Sequence, residues 1–147
     1  MLKQRFRRRG FAHERDLVQK LWREGFAVIR APASGSKAKH VLYPDIVAIM
    51  NRNIFVFEAK TVSSEKTIYI PREQVEKVRE FSRRAGGYGY IAVKIVGSGK
   101  WRFIPIENIE ETRRGNYKVS PEHVRKGLKI SDLVSIARGT HRLDEYL

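Results

Sequence analysis

Pro44-Asp45-Ile46-Val47-Ala48-Ile49-Met50-Asn51-Arg52-Asn53-Ile54-Phe55-Val56-Phe57-Glu58-Ala59-Lys60 reads as two strands and the turn between them. The apolar run Ile46 to Met50 and the mostly β-branched and aromatic run Ile54 to Phe57 are each of strand length. Asn51-Arg52-Asn53 between them has turn composition, which predicts an antiparallel hairpin. Side chains alternate along a strand, so Glu58 and Lys60 share one face while Ala59 takes the other, and a carboxylate and an ammonium converge on one point. Asp45, which follows Pro44 and opens the first strand, is expected to lie across from them. Glu-x-Lys alone is a weak signal, because a chain with twelve Glu and twelve Lys meets it about once by chance. Its weight comes from context: one of only four Asp in the chain opens the facing strand. The bland alternative is a solvated strand end with a weak same-face ion pair.

Two carboxylates on neighbouring strands are hard oxygen donors of the kind Mg²⁺ takes in ones and twos, with water and substrate phosphate oxygens filling the rest of its shell. That donor set points to phosphodiester hydrolysis. A second line comes from the preceding helix. Between Gly10 and Gly25 the apolar residues Phe11, Leu17, Val18, Leu21 and Trp22 recur at helical spacing, and Gly25 stands where a helix stops. Glu14 falls inside that stripe and is expected to point inward, where an unpaired carboxylate is costly. Either it pairs with one of the many arginines, or it joins the metal site directly or through water.

Glu14, Arg30-Ala31-Pro32-Ala33-Ser34-Gly35-Ser36, Pro44-Asp45, Glu58-Ala59-Lys60 and Tyr69-Ile70-Pro71-Arg72-Glu73-Gln74 together resemble the archaeal Holliday junction resolvases of the PD-(D/E)xK nuclease superfamily. The motifs keep the family's order, most strongly from Arg9 to Phe103. The resemblance implies an α/β, restriction-endonuclease-like fold with a central mixed β-sheet flanked by helices. It implies an Mg²⁺-dependent endodeoxyribonuclease, with Mn²⁺ as a substitute ion, that resolves four-way DNA junctions by paired incisions during recombination and repair. Residue by residue, it implies Asp45, Glu58 and the Ala59 carbonyl as metal ligands and Glu14 as an auxiliary metal carboxylate. It makes Lys60 the group that positions the nucleophile or the scissile phosphate, and Ser34 a hydroxyl near the cut. Ala59 stands where valine or methionine is usual, in a slot that contributes mainly its backbone carbonyl. Read from the residues alone, Ser34 is equally a turn serine beside Gly35, and Lys60 either orients or deprotonates a water or offsets transition-state charge. Two other functions compete. A repair or restriction-like nuclease acting on other DNA structures shares the whole active site, whereas a non-catalytic basic nucleic-acid-binding protein explains the charge but not the inward Glu14.

With 30 Lys+Arg against 16 Asp+Glu, a formal charge of +14 and a pI near 10.4, the chain attracts polyanions, and nucleic acid is the expected partner. No segment approaches the roughly 20 continuous apolar residues of a spanning helix, and no secretory signal is recognised, so no membrane partner is expected. The absence of Cys removes disulfides and thiolate metal sites and fits a reducing, cytoplasmic, nucleoid-associated location. His13, His40, His123 and His141 show no metal-ligand spacing and are expected at the surface, with His40 in a loop that can approach DNA.

The hydrophobic fraction of 41% supports one core-forming domain in 147 residues. We divide the chain into a basic arm over residues 1–10, mobile until phosphates order it, a nuclease domain over 11–138 and a tail over 139–147. The expected element order is αβββαββα, with a strand Phe26 to Arg30, a polar loop Pro32 to Tyr43, the central hairpin, and a helix from Pro71 ended by Gly86-Gly87. A second hairpin follows across Gly97 to Lys100, then irregular chain and a helix from Ser131 to Arg138. Gln74 falls in the first turn of the second helix, either near the site or as an ordinary polar helix former. Trp22 and Phe81 are expected to pack in the core. For DNA contact the candidates are Lys3, Arg5, Arg7, Arg8 and Arg9 in the arm, Arg30, and Lys37 and Lys39 in the serine loop; Arg83-Arg84 and Arg113-Arg114 have the composition of solvated surface. A junction offers two equivalent strands, which predicts a C₂ homodimer. At the C-terminus, Leu143, Tyr146 and Leu147 have the spacing of a sliding-clamp-binding peptide, with Thr140 in the slot usually taken by glutamine. The same residues can instead fold back on the domain.

Overall fold

A computed structural model describes residues 2–31 and 43–139, and of residues 2–9 the backbone alone. Helix α1 (Leu2–Arg23) buries Leu17 and Leu21 completely, and Gly25, with φ of +107°, turns the chain into strand β1 (Ala27–Arg30). The structure corrects two expectations at this end of the chain. The helix starts at Leu2, so the basic stretch Lys3 to Arg9 continues α1 rather than forming a separate arm. Arg and Lys are good helix formers, and propagation from an existing helix avoids the nucleation cost. Trp22 is 65% exposed rather than packed. It lies one residue past Leu21 and is turned about 100° around the axis from it, beyond the edge of the buried stripe.

Strands β2 (Ile46–Met50) and β3 (Asn53–Val62) form the expected hairpin. Asn51 and Arg52 both have positive φ, 50° and 67°, as the two-residue type I′ turn requires. The left-handed Arg52 is held in a turn whose flanking amides are anchored, since Asn51 Nδ2 and Asn53 Nδ2 each donate to the Ala137 carbonyl at 3.2 Å. The chain continues through β4 (Ile68–Ile70), α2 (Arg72–Ala85), β5 (Tyr88–Ile95) and β6 (Lys100–Pro105). After a 3₁₀ turn at Ile106–Asn108 come β7 (Glu110–Glu111), β8 (Tyr117–Val119), α3 (Pro121–Lys126) and α4 (Ile130–Arg138).

The main sheet has the order β1-β2-β3-β5-β6, with only the β3–β5 pair parallel, and β4-β8-β7 form a separate three-stranded sheet. The central mixed sheet flanked by helices is therefore as expected. The order αβββαββα is too simple: it leaves out β7, β8 and α3, which lie in the stretch read as irregular, and it does not pair β4. Strands of two or three residues are too short to show a period of two, and a six-residue helix carries little of the 3.6-residue repeat.

Alternation along β3 divides the core. Phe55 and Phe57 join Leu17, Leu21 and Leu133 on the side of α1 and α4, while Val56 joins Val75, Val78 and Ile91 on the side of α2. Helix α2 lies very close to β5: a Cβ on Gly89 would stand 2.8 Å from Val78 Cγ1. That approach brings the polar edge of α2 down onto the middle of β3.

Candidate active site

Strand β2 pairs with β3 only as far as Ile46 opposite Phe57, whereas β3 runs on along β5 to Val62. From Glu58 onward one edge of β3 is thus left without a strand partner. Asp45 occupies that gap. Its N–H donates to the Phe57 carbonyl at 3.0 Å, and its Oδ2 accepts from the Ala59 N–H at 2.9 Å. Because the N–H and C=O of a strand residue point to the same side, the Ala59 carbonyl also faces this open edge.

Glu58 is only 4% exposed, and its Oε2 lies 3.3 Å from Lys77 Nζ of α2 without an aligned hydrogen bond. Burial and then the Asp45 carboxylate push its pKa up to about 7, against the pull of Lys77 and Lys60. Glu14 arrives from α1. Partial burial and then Asp45 push its pKa up to about 7 as well, against Arg30 and Lys77. Asp45 thus repels both glutamates, and burial, the larger cause, outweighs the attraction of Arg30, Lys60 and Lys77. Glu14, Ala59 and Lys60 also line a cleft of about 350 Å³ with Phe11, His13 and Trp101.

Arg30 completes this end of the molecule, its guanidinium stacked over the Phe11 ring at 4.9 Å. Among the described residues, the buried side-chain polar atoms without a hydrogen-bond partner are Arg30 Nη1, Glu58 Oε2 and Gln74 Oε1. Buried polar atoms are nearly always paired, so each exception calls for an explanation. The first two belong to the carboxylate site, and Gln74 lies one turn before Lys77 on α2. The open Arg30 N–H is a donor that suits an anionic oxygen, and the open Glu58 oxygen an acceptor that suits a cation.

Two features escape the sequence reading. Lys77 is the ammonium nearest Glu58; its one signal is its position three residues after Gln74, on the same helix face. The other is a polar anchor on the cleft wall. Asp16 Oδ2 accepts from Trp101 Nε1 at 2.9 Å and from Lys20 Nζ at 3.0 Å, and Lys94 Nζ stands 3.1 Å away. Burial raises the Asp16 pKa, but these three donors outweigh it and bring the carboxyl down to about 2. Lys94 Nζ is also 3.1 Å from His13 Nδ1, so His13 is a cleft residue and not simply a surface one. The anchor ties α1 to β5 and β6, and Glu14 sits two residues before it. His123 has a structural task, closing a capping box with Ser120 at the start of α3.

The structure therefore brings Glu14, Asp45, Glu58, Ala59, Lys60 and Arg30 to one end of the sheet. Ser34, Lys37, Lys39 and His40 lie outside the described residues, as do His141 and the tail residues Leu143, Tyr146 and Leu147. Of Lys3, Arg5, Arg7, Arg8 and Arg9, only the helical backbone is described.

Comparison with known proteins finds the family described as "Archaeal holliday junction resolvase (hjc)" matching residues 5–142. The chain belongs to the archaeal Holliday junction resolvase family. It is 42% identical over 142 residues to a crossover junction endodeoxyribonuclease Hjc of Sulfurisphaera tokodaii, a match that covers 95% of this chain and 96% of that protein. A protein of the same name from Sulfolobus acidocaldarius is 37% identical over 142 residues, again with 95% and 96% covered. Among solved structures, Archaeoglobus fulgidus Hjc, described as a Holliday junction resolvase from an archaeal hyperthermophile, superposes with a TM-score of 0.76 at 33% identity. That match covers 84% of this chain and 98% of the other. Membership in this family fits the mixed sheet and the position of the carboxylates at its open edge.

Proposed function

We propose that the protein resolves four-way DNA junctions by divalent-metal-dependent hydrolysis of two opposed phosphodiesters, in recombination and repair. It is an endodeoxyribonuclease. The observation that carries the metal site is the open edge of β3, where Asp45, Glu58 and the Ala59 carbonyl present hard oxygen donors and Glu58 Oε2 is buried without a hydrogen-bond partner. Among the described residues no three His, Cys, Asp or Glu side chains already enclose a metal. Mg²⁺ does not need such a cage, because it binds through one or two carboxylates and keeps waters for the phosphate to displace. The residues present fit Mg²⁺, and Mn²⁺ as its substitute.

Asp45, Glu58 and the Ala59 carbonyl would hold the ion, with Glu14 reaching it directly or through water. When bound, it supplies Lewis-acid polarisation of the phosphate and a more acidic water. Lys60 in the cleft would orient the attacking water and place an ammonium beside the charge that develops on the phosphoryl oxygens. Arg30, with a buried unpaired N–H, fits a second phosphate oxygen. Ser34 donates to the phosphate near the cut. Cleaving four-way, flap and linear duplex substrates of equal length, with and without Mg²⁺, tests this reading; equal cleavage of all three would favour a general nuclease.

The substrate's symmetry asks for a second active site, supplied by a second copy. Helix α2 covers β3 and β5 but leaves Ile29 and Ile49, on the outer face of β1 and β2, 65% and 37% exposed. We assign this apolar face to a C₂ homodimer. Light scattering should report a dimer for the parent chain and a monomer for Ile29→Glu. Binding to DNA is expected to fall steeply with salt, and neutralising Arg7, Arg8 and Arg9 to Gln should flatten the log–log slope by roughly 2–3. An unchanged slope would remove those arginines from the DNA contact.

The tail residues Leu143, Tyr146 and Leu147 fit an apolar pocket on a sliding clamp. Calorimetry with purified clamp should give heat for the parent chain and none for Leu143→Ala with Tyr146→Ala. Among the described residues no helix is long and apolar enough to cross a membrane. A cytoplasmic, nucleoid-associated location follows from the substrate.

A further inference from the structure

The hairpin between β7 and β8 ends in a tight turn whose middle residues are both arginines. Thr112 N–H donates to the Asn116 carbonyl at 2.7 Å and Gly115 N–H to the Thr112 carbonyl at 3.0 Å, while Gly115 takes the left-handed φ of +84°. This leaves Arg113 and Arg114 side by side at the tip, both exposed. Neighbouring like charges repel, so nothing in the turn itself favours the pair.

Nearby acids do not neutralise them. Glu111 is held by Arg72, Glu110 by Lys118 at 3.4 Å, Glu65 by Arg125 at 2.9 Å and Glu122 by Lys126 at 2.9 Å. Among the described residues neither Arg113 nor Arg114 forms an ion pair. They border an open groove of about 420 Å³ whose other lining residues include Tyr69, Ile70, Pro71 and Asn116. Tyr69 is 70% exposed because alternation along β4 sends Ile68 and Ile70 inward and Tyr69 out. The groove is larger than the catalytic cleft but contains no carboxylate. Its chemistry is that of a binding surface: two unpaired guanidinium groups beside an aromatic face.

Its position is fixed relative to the active site. Arg72, the first residue of α2, donates from Nε to the Gly115 carbonyl at 2.5 Å and from its N–H to Asn116 Oδ1 at 3.1 Å, and its guanidinium lies over the Tyr117 ring at 5.3 Å. Tyr117 in turn donates to Glu76 on α2 at 3.1 Å. The arginine turn is thereby bolted to the helix that sets Lys77 against Glu58. Arg72 and Lys77 are separated by five residues, about 7.5 Å of helix rise, on this one helix.

We propose that this groove is a second DNA contact, holding one strand of a junction arm beside the cut. Phosphates rest on Arg113 and Arg114, and a base or deoxyribose packs on the face of Tyr69. Charge complementarity selects the occupant, since the partner is a polyanion, the groove's cations are unpaired and its floor is apolar. Stacking on a tyrosine face is tolerant of base identity, as an enzyme that recognises shape requires. This inference rests on the junction-cleaving reading above.

The test uses the full-length protein and a fluorescent four-way junction in Ca²⁺, which supports binding without requiring turnover. Arg113→Ala with Arg114→Ala should weaken binding about tenfold at moderate salt and lower the log–log salt slope by roughly 2, the loss of two phosphate contacts. Unchanged affinity and slope would overturn the proposal. Tyr69→Ala should weaken binding with no change in slope, and Tyr69→Phe should restore it. Among junctions carrying a photoreactive 5-iododeoxyuridine at successive positions along the arm next to the cut, at least one should crosslink to Tyr69, and crosslinks found only elsewhere would also overturn it. Thermal melts of each variant report folding. Wild-type cleavage of the same junction in Mg²⁺ is measured in parallel: if it fails, the junction-cleaving reading is at fault, and if it succeeds while the variants bind normally, only the groove is. Competition by a poly-glutamate peptide as strong as that by DNA would reassign the groove to an acidic protein partner.

Discussion

Asp45→Asn, Glu58→Gln and Lys60→Ala are each expected to slow junction cleavage in Mg²⁺ by at least about a hundredfold, the usual scale for losing one key electrostatic group. Affinity for the junction should stay within a few-fold. The separation follows from geometry. Asp45 and Glu58 sit at the open edge of β3, Glu58 almost wholly buried, and neither is placed to hold a DNA arm. Binding energy instead comes from many cations spread over a chain of charge +14. Asp45→Asn carries an added cost, because Oδ2 also accepts the Ala59 N–H. An asparagine flipped the wrong way would present two N–H groups to each other, so a melting curve must accompany the rate. A folded variant of any of the three that cleaves at the parent rate would show that the site is elsewhere. Glu14→Gln separates a chemical from a structural role for α1, since full activity would leave Glu14 with only a packing task.

Legibility in the sequence depends on whether the signal is local. The β2–β3 hairpin and the placement of Asp45 across from Glu58 are readable because alternation has a fixed period and the two strands are adjacent in sequence. Glu14 is readable because a charge on an apolar helix stripe is an internal contradiction that needs a partner. Lys77 is not, because its meaning depends on how closely α2 approaches β3, and that distance is set at Gly89 in the next strand. The anchor of Asp16, Lys20, Lys94 and Trp101 joins residues up to 85 positions apart, and each alone looks like ordinary surface chemistry. The same holds for Arg113 and Arg114. In sequence they are a charge pair; in the fold they are the tip of a small sheet fastened to α2.

The burial of Glu58 beside Asp45 should appear in stability as well as in rate. An unfolded glutamate titrates near 4.5, and Glu58 in the folded protein near 7. Below about pH 4.5 the proton is present in both states, and the contribution of Glu58 to stability is intact. As pH rises from 4.5 toward 7 the unfolded chain releases this proton before the folded one does, so the folded state loses ground, and above 7 the loss is complete. For Glu58 alone the loss is about 3 kcal/mol. Glu14 adds in the same direction, by less, because it is only half buried and solvent screens it. In EDTA, urea unfolding of the parent chain should therefore show stability falling between about pH 5 and about pH 8. Glu58→Gln, neutral throughout, should remove most of that slope and leave the metal-free protein more stable than the parent at the upper end. A divalent ion at high concentration should oppose the loss in the parent, since it binds the ionised carboxylates of the native state. It should do little for the variant. A Glu58→Gln protein that keeps the parent's slope would mean that burial and Asp45 do not hold Glu58 near neutrality. Burial beside Asp45 would then no longer support the proposed cation site, whatever the cleavage assays show.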